Sequence, residues 1–181
     1  MKGIVFNLLA EVVAMQHGED AWDDLLQTTG LDGVYTSLGS YPDEDMGKLV
    51  QAASTMLDSN PGAILRWFGH AAMPLLAERY PEFYAGHPDT RSFLLTLNDI
   101  IHPEVKKLYP GAIPPVFEFD TSDPDVLQIG YRSARRLCAL AEGFIFGAAA
   151  HYRQSAHIEH PQCLHRGNAR CLLLLRLVPA E

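Results

Sequence analysis

The sequence predicts an α+β fold: a helical N-terminal subdomain, about residues 1–60, and a second part, about residues 61–181, ending in a four-stranded antiparallel sheet with packed helices. Three observations carry this. Apolar residues in the first half recur at helical spacing between caps and glycines. Beyond Pro115 the apolar runs shorten, become β-branched or aromatic, and are separated by turn residues, as strands are. A chain of 181 residues that is 48% hydrophobic, with no internal repeat, suits one domain with a substantial core.

Ile4, Leu8, Val12 and Val5, Leu9, Val13 make two rows spaced by four, a first helix over residues 3–15 that Gly18 ends. Asp20 is placed to cap a short second helix that buries Trp22, Leu25 and Leu26 and stops at Gly30. Pro42 and the acidic Asp43, Glu44 and Asp45 suit the positive end of a third helix reaching about Asp58. Asn60 and Pro61 cap and open a fourth, which Gly69 and Pro74 are expected to divide and Tyr80-Pro81 to end. Asp89 or Thr90 caps a fifth helix with Phe93, Leu94, Leu97 and Ile101 inward. Pro103 should then push His102 out of helical geometry, to a kink or between two helices. Residues 116–119 and 126–131 read as strands around a turn at 120–124. A helix over about 134–152 and two strands near 155–160 and 169–178 complete the chain.

The net charge of -8, from 22 acidic against 14 basic residues, opposes phosphate backbones and anionic headgroups. Nucleic acid and membrane surfaces are therefore not expected partners. The longest apolar run, residues 171–175, stops at Arg176 and is far too short to span a bilayer. The apolar stretch after Lys2 imitates a secretory signal, but Asn7 and Glu11 interrupt it and no small-residue cleavage site follows, so a cytoplasmic chain is expected. Three cysteines are an odd number, which excludes a complete disulfide framework.

Two stretches carry chemistry. LNDIIHPEVKKLYPGAIPP, residues 97–115, sets His102 after an apolar run and closes on Pro114-Pro115. A lone histidine there is ordinarily a hydrogen-bonded structural residue, and less often a metal ligand. In YRSAR, Tyr131, Ser133 and Arg135 point one way on an extended chain, whereas a helix would turn Ser133 aside. Two hydroxyls and a guanidinium converging in this way suit a carboxylate or phosphate; the plain alternative is a strand end facing solvent. The two stretches together point to haem, which needs an imidazole for its iron and donors for its two propionates.

HPEVKKLYPGAIPP followed by YRSAR resembles the haem nitric oxide/oxygen-binding (H-NOX) domains, relatives of the haem domain of soluble guanylate cyclase. Their Y-x-S-x-R signature is complete as Tyr131, Ser133 and Arg135, and the likeness extends over essentially the whole chain, including the Met1-Lys2-Gly3 start. The resemblance implies haem b between the two subdomains, with His102 as proximal iron ligand and Tyr131, Ser133 and Arg135 on the propionates. Pro115 would press on the macrocycle and distort it; Pro103, directly after the ligand, departs from the pattern. The resemblance also implies a sensor and not an enzyme, binding nitric oxide and carbon monoxide. Its partner would be a sensor histidine kinase or, alternatively, a cyclic-di-GMP enzyme. Relatives that hold oxygen carry a distal tyrosine where this chain has Leu140. With Val5, Leu9, Ala72 and Phe144 as the other expected lining residues, nothing donates a hydrogen bond to oxygen, and a nitric oxide sensor is expected.

Cys138, His160, Cys163 and Cys171 form a third constellation. His160 and Cys163 are spaced to reach one ion, and a Cys₃His set suits tetrahedral structural zinc. Some H-NOX proteins resemble this one in having such a site, with redox sensitivity attributed to its thiolates. Buried free cysteines or a local disulfide, and His157 or His165 as substitute ligands, are the alternatives. Two rival functions stand beside the gas sensor: a thiol or zinc redox sensor with structural haem, and a haem enzyme, which would need an acid-base pair near the iron. His70, His87 and His151 read as surface or hydrogen-bonded residues.

Overall fold

The computed structural model describes residues 1–180, and among them the chain forms eight α-helices and one four-stranded sheet. α1 (Gly3–His17) ends at Gly18, whose φ of 90° suits a residue without a Cβ. α2 (Glu19–Thr29) starts directly after it, one residue before the expected Asp20 cap, with Glu19 and Asp20 both in its first turn. α3 (Asp43–Met56) opens on its three carboxylates as expected, at the positive end of the helix dipole. Phe6, Leu8, Leu9, Val12 and Val13 of α1 pack with Met46, Leu49 and Val50 of α3 and with Ile64, Phe68, Ala72 and Leu75 to make a first core.

α4 (Pro61–Arg79) runs unbroken through Gly69 and Pro74, contrary to the expected division. Pro74 removes the donor that would serve the His70 carbonyl one turn back. Gly147 of α8 (Cys138–His151) packs against that carbonyl; a Cβ there would lie 2.9 Å from the oxygen. Glycines let the two helices approach closely: a Cβ on Gly69 would lie 2.5 Å from the Leu140 carbonyl oxygen, and one on Gly143 would overlap the Arg66 carbonyl.

Tyr80-Pro81 ends α4, but a short α5 (Pro81–Tyr84), not anticipated, restarts there because a proline is tolerated in a first helical turn. The fifth helix read from the sequence is two pieces, α6 (Thr90–Leu95) and a π-helical turn over Leu97–Ile101, and α7 (His102–Leu108) follows directly. Asp89 caps α6 in a reciprocal box with Ser92. His102 is helical, with φ -65° and ψ -37°, so Pro103 does not expel it. The π turn widens the backbone just upstream, the Ile101 N–H bonding five residues back to Thr96 at 3.1 Å, and Pro103 falls in the first turn of α7 where no N–H is needed.

β1 (Val116–Asp120), β2 (Leu127–Arg132), β3 (Gln154–Gln162) and β4 (Cys171–Pro179) form an antiparallel sheet in the order β1-β2-β4-β3. Leu127, Ile129 and Tyr131 of β2 and Cys171, Leu173 and Leu175 of β4 are buried, and with Ala141, Ile145 and Ala148 of α8 they make a second core. The β2–β4 register pairs Tyr131 with Cys171, and the β3–β4 register shifts between Glu159 and Gln162. α8 begins at Cys138 and not near 134, because residues 133–136 form a turn in which Arg136 takes a φ of 53°. No helix among the described residues is long and apolar enough to cross a membrane.

Candidate functional site

Between the two cores lies a cavity of about 530 Å³, within the roughly 300–1,000 Å³ of cofactor and ligand sites. Val5 of α1, Met73 and Leu76 of α4, Ile101 and His102 at the π turn, Pro114 and Pro115, and Leu140 and Phe144 of α8 line it. Leu9 and Ala72 do not: both are in the first core, behind the wall they were expected to form. The His102 ring lies beside Phe117, with centroids 5.8 Å apart and planes inclined by 27°. Burial, and secondarily Lys106, pushes its imidazole down to about 4, so near neutrality the ring keeps a lone pair for a metal. Asn98 fixes the π turn to the edge of the sheet. Its amide donates to the Phe117 carbonyl at 2.6 Å and its oxygen accepts from the Phe117 N–H at 3.3 Å.

Tyr131, Ser133 and Arg135 all reach the cavity rim, but by a turn and not by extended alternation, since β2 stops at Arg132. The Ser133 hydroxyl accepts from the Arg135 N–H at 3.2 Å. Burial pushes the Tyr131 hydroxyl up to about 12, so it remains a donor. Arg135 donates through Nε to Asp43 at 2.8 Å and through Nη1 to the Ile113 carbonyl at 2.7 Å, bridging α3 to the loop before β1. Burial alone would raise the Asp43 carboxyl, but Arg135 and the N-terminal amine outweigh it and hold it below the ordinary range.

The wall is less apolar than expected, because Tyr80, Tyr84 and Tyr109 also line it. Tyr80 and Tyr109 bond each other, which commits one of their two O–H groups, and Tyr84 donates to the Met73 sulfur at 3.0 Å. An apolar cavity with one neutral imidazole on its wall and hydroxyl and guanidinium donors at its rim fits a flat, dicarboxylated, iron-bearing group.

The sequence profile of the haem–NO-binding family matches residues 2–160. The chain belongs to the H-NOX family. It is similar to an H-NOX protein from S. oneidensis solved in the Fe(II)NO ligation state, with 34% identity over 98% of this chain and 99% of that one and a TM-score of 0.92. An H-NOX domain from Shewanella oneidensis in the Fe(II)CO state matches at 34% identity over 98% and 99% of the two chains, with a TM-score of 0.89. The Fe(II) unliganded H-NOX protein from K. algicida matches at 26% identity over 98% and 97%, with a TM-score of 0.87.

In this H-NOX chain the third constellation also assembles. Cys138 of α8, His160 of β3, Cys163 and Cys171 of β4 place one ligand atom each within 4.8 Å of one another. The Cys138–Cys163 and Cys163–Cys171 sulfurs are 3.8 and 3.9 Å apart, too far for a disulfide, and all three cysteines are free. A tetrahedron with metal–sulfur bonds of about 2.3 Å has edges of ~3.8 Å, so the spacing fits zinc. The substitute ligand His165 is spent on the Arg136 carbonyl at 2.7 Å, and His157 lies outside the group. Burial and the neighbouring sulfurs push the Cys138 thiol up. Burial would raise Cys163 too, but backbone and thiol donors pull it down.

Sequence reasoning missed Glu142, a buried carboxylate that bonds both His160 and Arg66. Burial would raise its carboxyl, but those two partners hold it below the ordinary value. The signal was there: Glu142 is the one charged side chain in the apolar run of α8, four residues after Cys138 and so on its face.

Proposed function

We propose that this H-NOX domain is a cytoplasmic nitric oxide sensor that holds haem b through His102 and reports to a separate signalling protein. That protein would be a sensor histidine kinase or, alternatively, a cyclic-di-GMP enzyme. The observation that carries the reading is the cavity between the cores, whose wall offers one neutral imidazole and, in Val5, Leu140 and Phe144, apolar side chains. A bound oxygen molecule would find no donor among Val5, Leu140 and Phe144, the residues expected beside the gas, and nitric oxide needs none.

Haem, when bound, would supply a ferrous iron able to take the gas, with His102 as the protein ligand that the gas would release. Tyr131, Ser133 and Arg135 would hold the propionates, and Pro115, Val5, Leu140 and Phe144 would pack against the macrocycle. His102 stands at the start of α7, a two-turn helix with no fully buried residue, so little packing resists its movement once it is released. The two cores then shift about α4, which belongs to both. In the same reading Cys138, His160, Cys163 and Cys171 hold a structural zinc, which would join β3, β4 and α8.

An absorption spectrum of the ferrous protein before and after nitric oxide tests the reading. A ferrous haem band that shifts with the gas is expected, with no stable oxygen complex in air. Colourless protein from iron-replete cells, or a persistent oxygen complex, would sink it. His102→Gly should give the gas-bound output on the partner without gas; partner activity identical to wild type would remove the release step. The cysteine cluster favours a redox sensor as second reading: Cys163→Ala should leave nitric oxide regulation of the partner intact if the gas is the signal, and abolish regulation if the thiols are.

A further inference from the structure

We propose that Glu142 is the outer-shell carboxylate of the four-residue metal site, a positioning residue that presents the Nε2 lone pair of His160 to the ion. The proposal rests on the zinc reading above. Glu142 is 5% exposed in a helix whose other residues before His151 are all uncharged, a costly place for a carboxylate unless it is paired. Its oxygens are divided between two partners. One accepts from Arg66 Nε of α4 at 2.5 Å, and the other faces His160 Nδ1 at 2.5 Å.

The other nitrogen of His160, Nε2, is buried and has no hydrogen-bond partner among the described residues. A buried polar atom without a partner is a cost that a ligand removes. Neutral imidazole carries one N–H and one lone pair. With the Nδ1 proton donated to Glu142, the lone pair stands on Nε2, beside three sulfurs that want a cation. Without the carboxylate the ring is free to take either tautomer and to turn. The register shift between Glu159 and Gln162 serves the same end, since a bulge re-aims the side chain within it. Arg66 completes the charge balance: three thiolates outweigh a divalent ion, and Arg66 offsets the further negative charge that Glu142 brings. The chain of contacts therefore runs from the metal through His160 and Glu142 to α4, the helix shared by both cores.

The test uses the haem-loaded protein as purified, with zinc retention read against a chromophoric chelator and the ligand field read after cobalt substitution. Glu142→Ala should weaken zinc retention by about 10- to 100-fold, the usual loss for an outer-shell partner, and shift the cobalt bands. Glu142→Gln, whose amide oxygen still accepts from Nδ1, should restore most of both. Arg66→Met, which removes the ion pair and leaves the histidine contact, should cost much less than Glu142→Ala. Should Glu142→Ala not fold, Glu142→Met carries the same expectation. Zinc retention in Glu142→Ala equal to wild type, or an equal loss in Arg66→Met, overturns the assignment. Wild-type protein that takes up no zinc overturns the metal site itself, a separate outcome.

Discussion

At His102 the environment decides the chemistry. The unfolded chain takes up a proton near 6.5, whereas the folded one resists it down to about 4, with burial as the main cause. A histidine pKa depressed by folding leaves stability whole above the unfolded value and removes it as pH falls below that value toward the folded one. The haem-free domain should therefore lose stability between pH 6.5 and about 4, and His102→Gln should lose less over the same window, as urea midpoints at several pH values would reveal. A steeper fall in the variant would refute the burial argument. Arg135 offers a second test. Removing its charged hydrogen bonds should cost about 1.5–3 kcal/mol, so Arg135→Ala should pass haem to an acceptor apoprotein roughly 10- to 100-fold more readily. That His102, Tyr131, Ser133 and Arg135 belong together was legible from their unusual types and spacing, and all four line one cavity. Leu9 was misplaced because helical periodicity gives the buried face of α1 without saying which of its residues meet a cavity and which meet α3.

Among elements, the pairing of α4 with α8 is set by glycine. Gly143→Ala should destabilise the fold by about 1–3 kcal/mol through overpacking against the Arg66 backbone. Gly47→Ala in the exposed middle of α3, where a Cβ meets nothing within 4 Å, should instead stabilise it by about 0.5–1 kcal/mol. Thermal melts of the two variants are expected to move in opposite directions. Strands and most helices were readable from caps, periodicity and turn residues, all of them local signals. Pro74 misled because its cost depends on what meets the freed carbonyl, here Gly147 from a helix some seventy residues away in the chain. The π turn escaped for a similar reason: Asn98, which holds it to Phe117, acts across the fold.

For the molecule as a whole, two cores share α4, and the cavity between them draws its walls from α1, α4, the π turn, β1, β2 and α8. The fold class was visible in the change of pattern after Pro115, but no local pattern locates a space bounded by so many elements; only the resemblance to H-NOX domains anticipated it. The four-residue cluster was nameable from residue types, while its closeness depends on strand register. If it holds zinc, Ellman's reagent should find the three buried thiols only after chelation, and chelation should lower the melting temperature. Thiols fully reactive in untreated, reduced protein would argue that the sulfurs are unliganded.

The aim of His102 has a further consequence, which lies in counting residues. A π turn contains one residue more than an α turn, and His102 is the first residue beyond it. Winding positions 97–101 as an ordinary α-helix, with no residue removed, would swing everything downstream by about 100° around the axis. The direction in which the His102 imidazole meets the cavity is thus a matter of phase, fixed by how the five residues before it are wound.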